Sequence, residues 1–196
     1  MGRPREHDDR TRDALLVAAE RIVEAEGVEA LSVRRVAEEI DTSTRAVYSV
    51  FGSKDGLLTA LGVRAFEHLA DAVGGQRLTS DHRRNLAIAG LGYRTFALEH
   101  TALMRIGVQR AVPDPAQATQ WAHAANATFG ILVARCRAFI EAQGLSLDPQ
   151  EAAVEYHALC EGLSQVELRG MMRAGTELRH WKRALTALVD GFAAAG

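Results

Sequence analysis

SVRRVAEEIDTSTRAVYSVFGSKDGLL, residues 32–58, decides how this chain reads. Ser32 offers a hydroxyl acceptor ahead of a helical run from Val33 to Ile40. Asp41-Thr42-Ser43 breaks that run before a second one, Thr44 to Phe51. Two short helices that cross steeply need a small residue where their backbones approach. Ala37 supplies it. At about 100° per residue, Val47, Val50 and Phe51 gather on one side of the second helix, where Val36 and Ile40 can meet them. Arg45, Tyr48 and Ser49 fall on the opposite side, and Thr44 lies at the N-terminal edge. This is the pattern of a helix-turn-helix, whose second helix approaches base edges by its N-terminal end. Arg45 can pair with a guanine, and Tyr48 can reach a phosphate or a thymine methyl. Arg34 and Lys54, near helix starts, are natural phosphate clamps. The alternative is a pair of amphipathic helices in an ordinary bundle. An exposed tyrosine on so short a helix, followed by a capped basic turn, argues against it.

Working outward, a helix is expected from Asp9 to Glu26, with Leu15, Ala19, Ile22 and Val23 as its apolar stripe and Gly27 as its terminator. Ser53 caps a further helix, Lys54 to about Val73, which Gly74-Gly75 ends. Longer amphipathic helices follow at about 81–99, 101–111, 115–143, 149–170 and 176–194. Pro113 and Pro115 separate the second and third of these, Asp148-Pro149 with Glu151 forms a well-made helix start, and Thr176 can cap the last helix. No stretch alternates in the manner of a strand. The fold class is all-α, with about nine helices. A three-helix DNA-binding domain over 1–53 precedes a larger helical domain over 54–196.

Composition narrows the function classes. The chain has 196 residues, 47% hydrophobic and 24% charged, ordinary for a globular protein. No apolar run approaches the roughly 18 residues that cross a bilayer, and the polar N-terminus shows no secretory signal, so a cytoplasmic protein without membrane contact is expected. Residues 1–60 hold nine Lys/Arg against twelve Asp/Glu, a balance of −3. Phosphate attraction must therefore come from a few placed cations and helix N-termini, not from a general basic field. Cys136 and Cys160 are far apart and lie in helical patterns, as small buried hydrophobes or as a thiol lining a cavity. There is no Ser/His/Asp set, phosphate loop or metal-ligand spacing, and no cofactor or enzyme activity is expected.

These residues resemble the TetR family of regulators. The resemblance rests on Glu24-Ala25-Glu26-Gly27, Leu31-Ser32-Val33, Val36-Ala37, Val47-Tyr48-Ser49-Val50-Phe51 and Ser53-Lys54-Asp55-Gly56-Leu57-Leu58, and covers about residues 10–62. It implies that Ser32, Arg34, Thr42, Thr44, Arg45, Tyr48, Ser49 and Lys54 face DNA. Two positions depart from the family pattern. Asp41 stands where a turn glycine is usual, and Val50 stands where a phosphate-contacting histidine is common. Gly2-Arg3-Pro4-Arg5 looks like the basic arm that many members carry. The stretches 93–100 and 155–163 look like a C-terminal subclass with a tryptophan/histidine/glycine signature.

The resemblance further implies a homodimer on a near-palindromic double-stranded operator, with a ligand cavity among the central helices and pairing through the last two. Tyr93, Phe96, Met104, Trp121, His123, Phe129, His157 and Cys160 are the cavity candidates, each of which can equally be packed core. His157, Cys160 and Glu161 share a helical face, which a hydrogen-bonded core histidine explains better than a metal site. Leu159, Leu163, Val166, Leu185, Leu188, Val189 and Phe192 are the candidates for pairing, each of which can instead fill the core of the single chain. The function these expectations define is a repressor released from its operator by a small-molecule effector. The competing reading, a small helical enzyme or ligand carrier, predicts a monomer indifferent to duplex DNA.

Overall fold

A computed structural model describes residues 5–109, 114 and 118–195. Among the described residues there are nine α-helices, one 3-10 turn at Val28–Ala30 and no strand. The helices are α1 (Arg5–Glu26), α2 (Val33–Glu39), α3 (Thr44–Phe51), α4 (Lys54–Gly74), α5 (His82–Glu99), α6 (Thr101–Gly107), α7 (Ala118–Gln143), α8 (Pro149–Leu168) and α9 (Glu177–Ala195). The chain forms two compact units. One takes residues up to Phe66 together with 100–125, and the other takes 67–99 and the chain from 126 onward, so α4 and α7 each contribute to both. The unit that holds the first three helices is thus larger than residues 1–53.

In the first unit, the buried stripe of α1 is Leu15, Leu16, Ala19, Ile22 and Val23, the three-and-four spacing of a helix with one face in a core. Gly27 ends it at φ 86°, giving its N–H to the Val23 carbonyl at 2.9 Å. A side chain disfavours that backbone region, which is why glycine serves there. The helix starts at Arg5, four residues before the expected Asp9, and neither glycine nor proline interrupts 5–8. α6 stops at Gly107, short of the expected 111, at a residue with poor helix propensity. Pro4, Pro113 and Pro115, with Gly2-Arg3 of the basic arm, lie outside the described residues.

The second unit is built around Leu86, Phe96, Phe139, Tyr156, Trp181 and Leu185, all almost fully buried. Arg94 of α5 reaches Glu167 of α8 through its Nε at 2.9 Å. The indole N–H of Trp181 on α9 donates to the same carboxylate at 2.7 Å. Tyr156 donates its hydroxyl to the Leu86 carbonyl at 2.5 Å. The start of α8 follows expectation: Asp148 accepts the Gln150 N–H at 2.7 Å, ahead of Pro149 and Glu151. The start of α9 does not. Thr176 turns its hydroxyl back to donate to the Arg173 carbonyl at 2.6 Å, closing the preceding turn instead of capping the helix.

Candidate nucleic-acid interface and ligand cluster

α2 and α3 each begin with a serine cap. Ser32 Oγ accepts the Arg35 N–H and Ser43 Oγ accepts the Ala46 N–H, both at 3.2 Å. Each supplies one of the acceptors that a helix start lacks. Between them the chain turns through Asp41, whose φ of 50° makes it the only non-glycine with positive φ among the described residues. Short-chain Asp tolerates that left-handed geometry better than most residues. Ser53 then caps α4, accepting the Gly56 N–H at 2.9 Å.

Val36, Ala37, Val47 and Phe51 are buried, with Val50 and Ile40 half-buried at the edge. That buttress leaves the polar side of α3 outward. Tyr48 is 52% exposed, a large aromatic with no place in the core. Ser32, Arg34, Thr44, Arg45, Ser49 and Lys54 are exposed as well, and Thr42 is half-buried. All eight expected DNA-facing residues therefore belong to the first unit, and none is sealed in its core.

The cations around this surface are tied up unequally. Arg34 Nε pairs with Glu38 at 2.7 Å, one turn along α2, and that hydrogen bond followed by the carboxylate charge holds its pKa above the ordinary value. Arg35 pairs with Glu26, and Arg21 with Glu39 at 3.2 Å. Arg45 and Lys54 form no ion pair among the described residues. Three cations of the N-terminal segment are thus matched by acids of the same segment, which leaves its balance of −3 unchanged and Arg45 and Lys54 as its unpaired cations at this surface.

The cavity candidates separate. Tyr93, Phe96, Phe129, His157 and Cys160 belong to the second unit, and Met104, Trp121 and His123 to the first. Met104 is fully buried, Trp121 packs edge-on against Phe66 with ring centres 5.7 Å apart, and His123 is exposed. In the second unit the His157 ring meets the edges of Tyr93 and Phe129 at centroid distances of 5.7 and 6.2 Å. Its Nε2 lies 3.6 Å from Glu161, a contact that is an ion pair only when the ring is protonated. Burial lowers the His157 pKa, and the Glu161 charge opposes that shift. Burial also pushes the Cys160 thiol up to about 12. Among the described residues no group of three His, Cys, Asp or Glu could hold a metal ion.

The pairing candidates divide by burial. Leu185, Val189 and Phe192 are at most 5% exposed in the single chain and fill its core. Leu159, Leu163 and Leu188 are half-buried, and Val166 is exposed. Small exposed residues also lie on these helices: Ala158 and Gly162 on α8, and Ala187, Gly191 and Ala194 on α9. Their spacing of three and four residues is the signal that the sequence carries for them. Two structural residues not expected from the sequence are Ser43, the cap of α3, and Glu24 of α1, whose carboxylate accepts the N–H groups of Ala102 and Leu103.

Comparison with known proteins agrees with this geometry. The model for bacterial regulatory proteins of the tetR family matches residues 15–61, and that for a tetracyclin repressor-like C-terminal domain matches residues 86–194. A structure of a putative TetR-family transcriptional regulator from Rhodococcus sp. is 25% identical with a TM-score of 0.71, covering 93% of this chain and 98% of its own. A protein of unknown function from Rhodococcus sp. RHA1 is 26% identical with a TM-score of 0.73, covering 94% of both chains. A TetR variant from Acinetobacter baumannii AYE in complex with minocycline shares the fold at 19% identity and a TM-score of 0.66, covering 94% of this chain and 97% of its own. No curated protein matches the chain. Among the described residues no helix is long and apolar enough to cross a membrane.

Proposed function

The chain belongs to the TetR family and is a DNA-binding transcriptional regulator, not an enzyme; on that premise we propose that it is a cytoplasmic repressor released from its operator by a small-molecule effector. The observation that carries the DNA side is the outward edge of α3, where Arg45, Tyr48 and Ser49 stand clear of the core built by Val47 and Phe51. Ser32, Arg34, Thr42, Thr44 and Lys54 complete the contact set. Phosphate contacts from Arg34 and Lys54 fix the register, and the α3 edge reads bases. As a homodimer the protein sets two such edges in successive major grooves of a near-palindromic site, about 34–36 Å apart.

The effector side rests on Tyr93, Phe129, His157 and Cys160, a mixed aromatic and polar cluster in the second unit of the kind that lines small-molecule sites. An effector releases DNA only if it binds a non-binding state more tightly than the DNA-bound one. The test is a gel shift on a duplex that the protein itself enriches from a random pool. Tyr48→Ala and Lys54→Ala abolish the shift while the dimer persists, and a compound that raises the melting temperature of the parent also releases the duplex. A mutant that shifts DNA like the parent refutes the contact set. Compounds that stabilise the protein without ever releasing DNA refute the repressor reading.

A further inference from the structure

α6 starts without a cap of its own. His100 precedes its first residue and supplies no side-chain acceptor, although the first amides of a helix have no partner within it. The acceptor comes from 78 residues away: the Glu24 carboxylate takes the Ala102 N–H at 3.0 Å with one oxygen and the Leu103 N–H at 3.1 Å with the other. One turn earlier on α1, Glu20 accepts from Arg64 Nε of α4 at 2.6 Å and lies 3.9 Å from His100 Nδ1. The third side of this arrangement is steric. A Cβ on Gly107 at the end of α6 would stand 2.6 Å from the Ala65 Cβ and 3.2 Å from the Gly62 carbonyl oxygen, both on α4. Within one compact unit, α1, α4 and α6 are thus braced by two carboxylates and a glycine contact.

The frame carries the DNA-facing groups at two places. Arg45 and Tyr48 ride on α3, which packs on α1 and α2. Lys54 is the first residue of α4. A phosphate clamp helps the base-reading helix only when the two are held in register. Leu103, Met104 and Ile106 are fully buried, so water is a poor substitute for the Glu24 oxygens at the head of α6, and charge-assisted bonds are the strong kind. We propose that Glu24 is a positioning residue for DNA binding: by capping α6 from α1 it fixes the seat of α4, and with it Lys54 relative to Arg45 and Tyr48, without touching DNA.

The test uses the full chain and two duplexes, one enriched by the parent from a random pool and one of random sequence and equal length. Glu24→Ala raises the Kd for the enriched duplex about tenfold, or about 1.4 kcal/mol. The Kd for the random duplex changes less than about twofold, since sequence-independent binding depends on charge and not on register. Glu24→Gln keeps an acceptor oxygen and binds the enriched duplex at a strength between the two. Glu29→Ala, which removes an exposed carboxylate near the same helix end, weakens neither duplex. Parent-like binding by Glu24→Ala, with faster amide exchange at Ala102 and Leu103, overturns the proposal. Equal loss on both duplexes also overturns it, because that marks general unfolding. If the alanine variant does not fold, Glu24→Gln decides: weakening confined to the enriched duplex supports the proposal, and unchanged binding overturns it.

Discussion

Gly62 of α4 faces the Trp121 ring so closely that a Cβ there would lie 1.9 Å from the nearest ring carbon. Two effects of replacing it by alanine compete. Alanine favours a helix interior over glycine by about 1 kcal/mol. Overpacking a filled core costs about 1–3 kcal/mol, and a clash this short with a ring that is only 6% exposed falls at the upper end. Gly62→Ala is therefore destabilising despite its better propensity. At about 2–4 °C per kcal/mol for a chain of this size, thermal unfolding monitored by circular dichroism drops by several degrees. An unchanged or raised midpoint would show that Trp121 is free to move aside.

Cys136 and Cys160 are both buried, and burial alone pushes each thiol up to about 12. The thiolate is the reactive form, so native protein at pH 8 should consume almost no thiol reagent over minutes. Two equivalents should react once denaturant is added. Rapid labelling of one thiol in the native protein that Cys160→Ser removes would mean that the α8 face around Cys160 opens to solvent, and a slowing of that labelling by a compound would mark binding at that face.

The helix-turn-helix was legible because its determinants are local. Ser32, Ala37, Asp41 and Ser53 act on residues within a turn or two, and periodicity separates Val47 and Phe51 from Tyr48. The aromatic side chains were not legible, because type and spacing show that Trp121 is buried without showing what buries it. Trp121 packs against Phe66 and Gly62 in the first unit. Leu185, Val189 and Phe192 form the buried stripe of α9, and periodicity does not distinguish burial inside one chain from burial between two. The Glu24 cap joins positions 78 residues apart in sequence, beyond any local pattern.

His157 ties the second unit to pH. Burial lowers its pKa below the ordinary 6.5, with Glu161 opposing. The unfolded chain therefore takes up a proton before the folded one does, and stability falls as pH drops below 6.5 through the folded-state value. Above that range the contribution is fully present. The parent should lose more in melting temperature between pH 7.5 and 5.5 than His157→Gln, which cannot titrate. Equal losses would assign the acid sensitivity to other groups.

The exposed small residues of α8 and α9 bear on how two copies meet. A Cβ added at Gly162 or at Gly191 would touch nothing in the protomer. The protomer itself gives no steric reason for a glycine at either place, whereas glycine within a helix costs about 1 kcal/mol relative to alanine. Close approach of a second copy along Ala158, Gly162, Ala187 and Gly191 supplies such a reason, since small residues let helices pack at short distance. Gly191→Arg should then leave helix content and thermal unfolding of the protomer nearly intact while sedimentation shows monomers. The enriched duplex should be lost with it, because one α3 edge engages only half a site. A Gly191→Arg variant that remains dimeric would move the pairing surface elsewhere, with half-buried Leu159, Leu163 and Leu188 and exposed Val166 as the next positions to substitute.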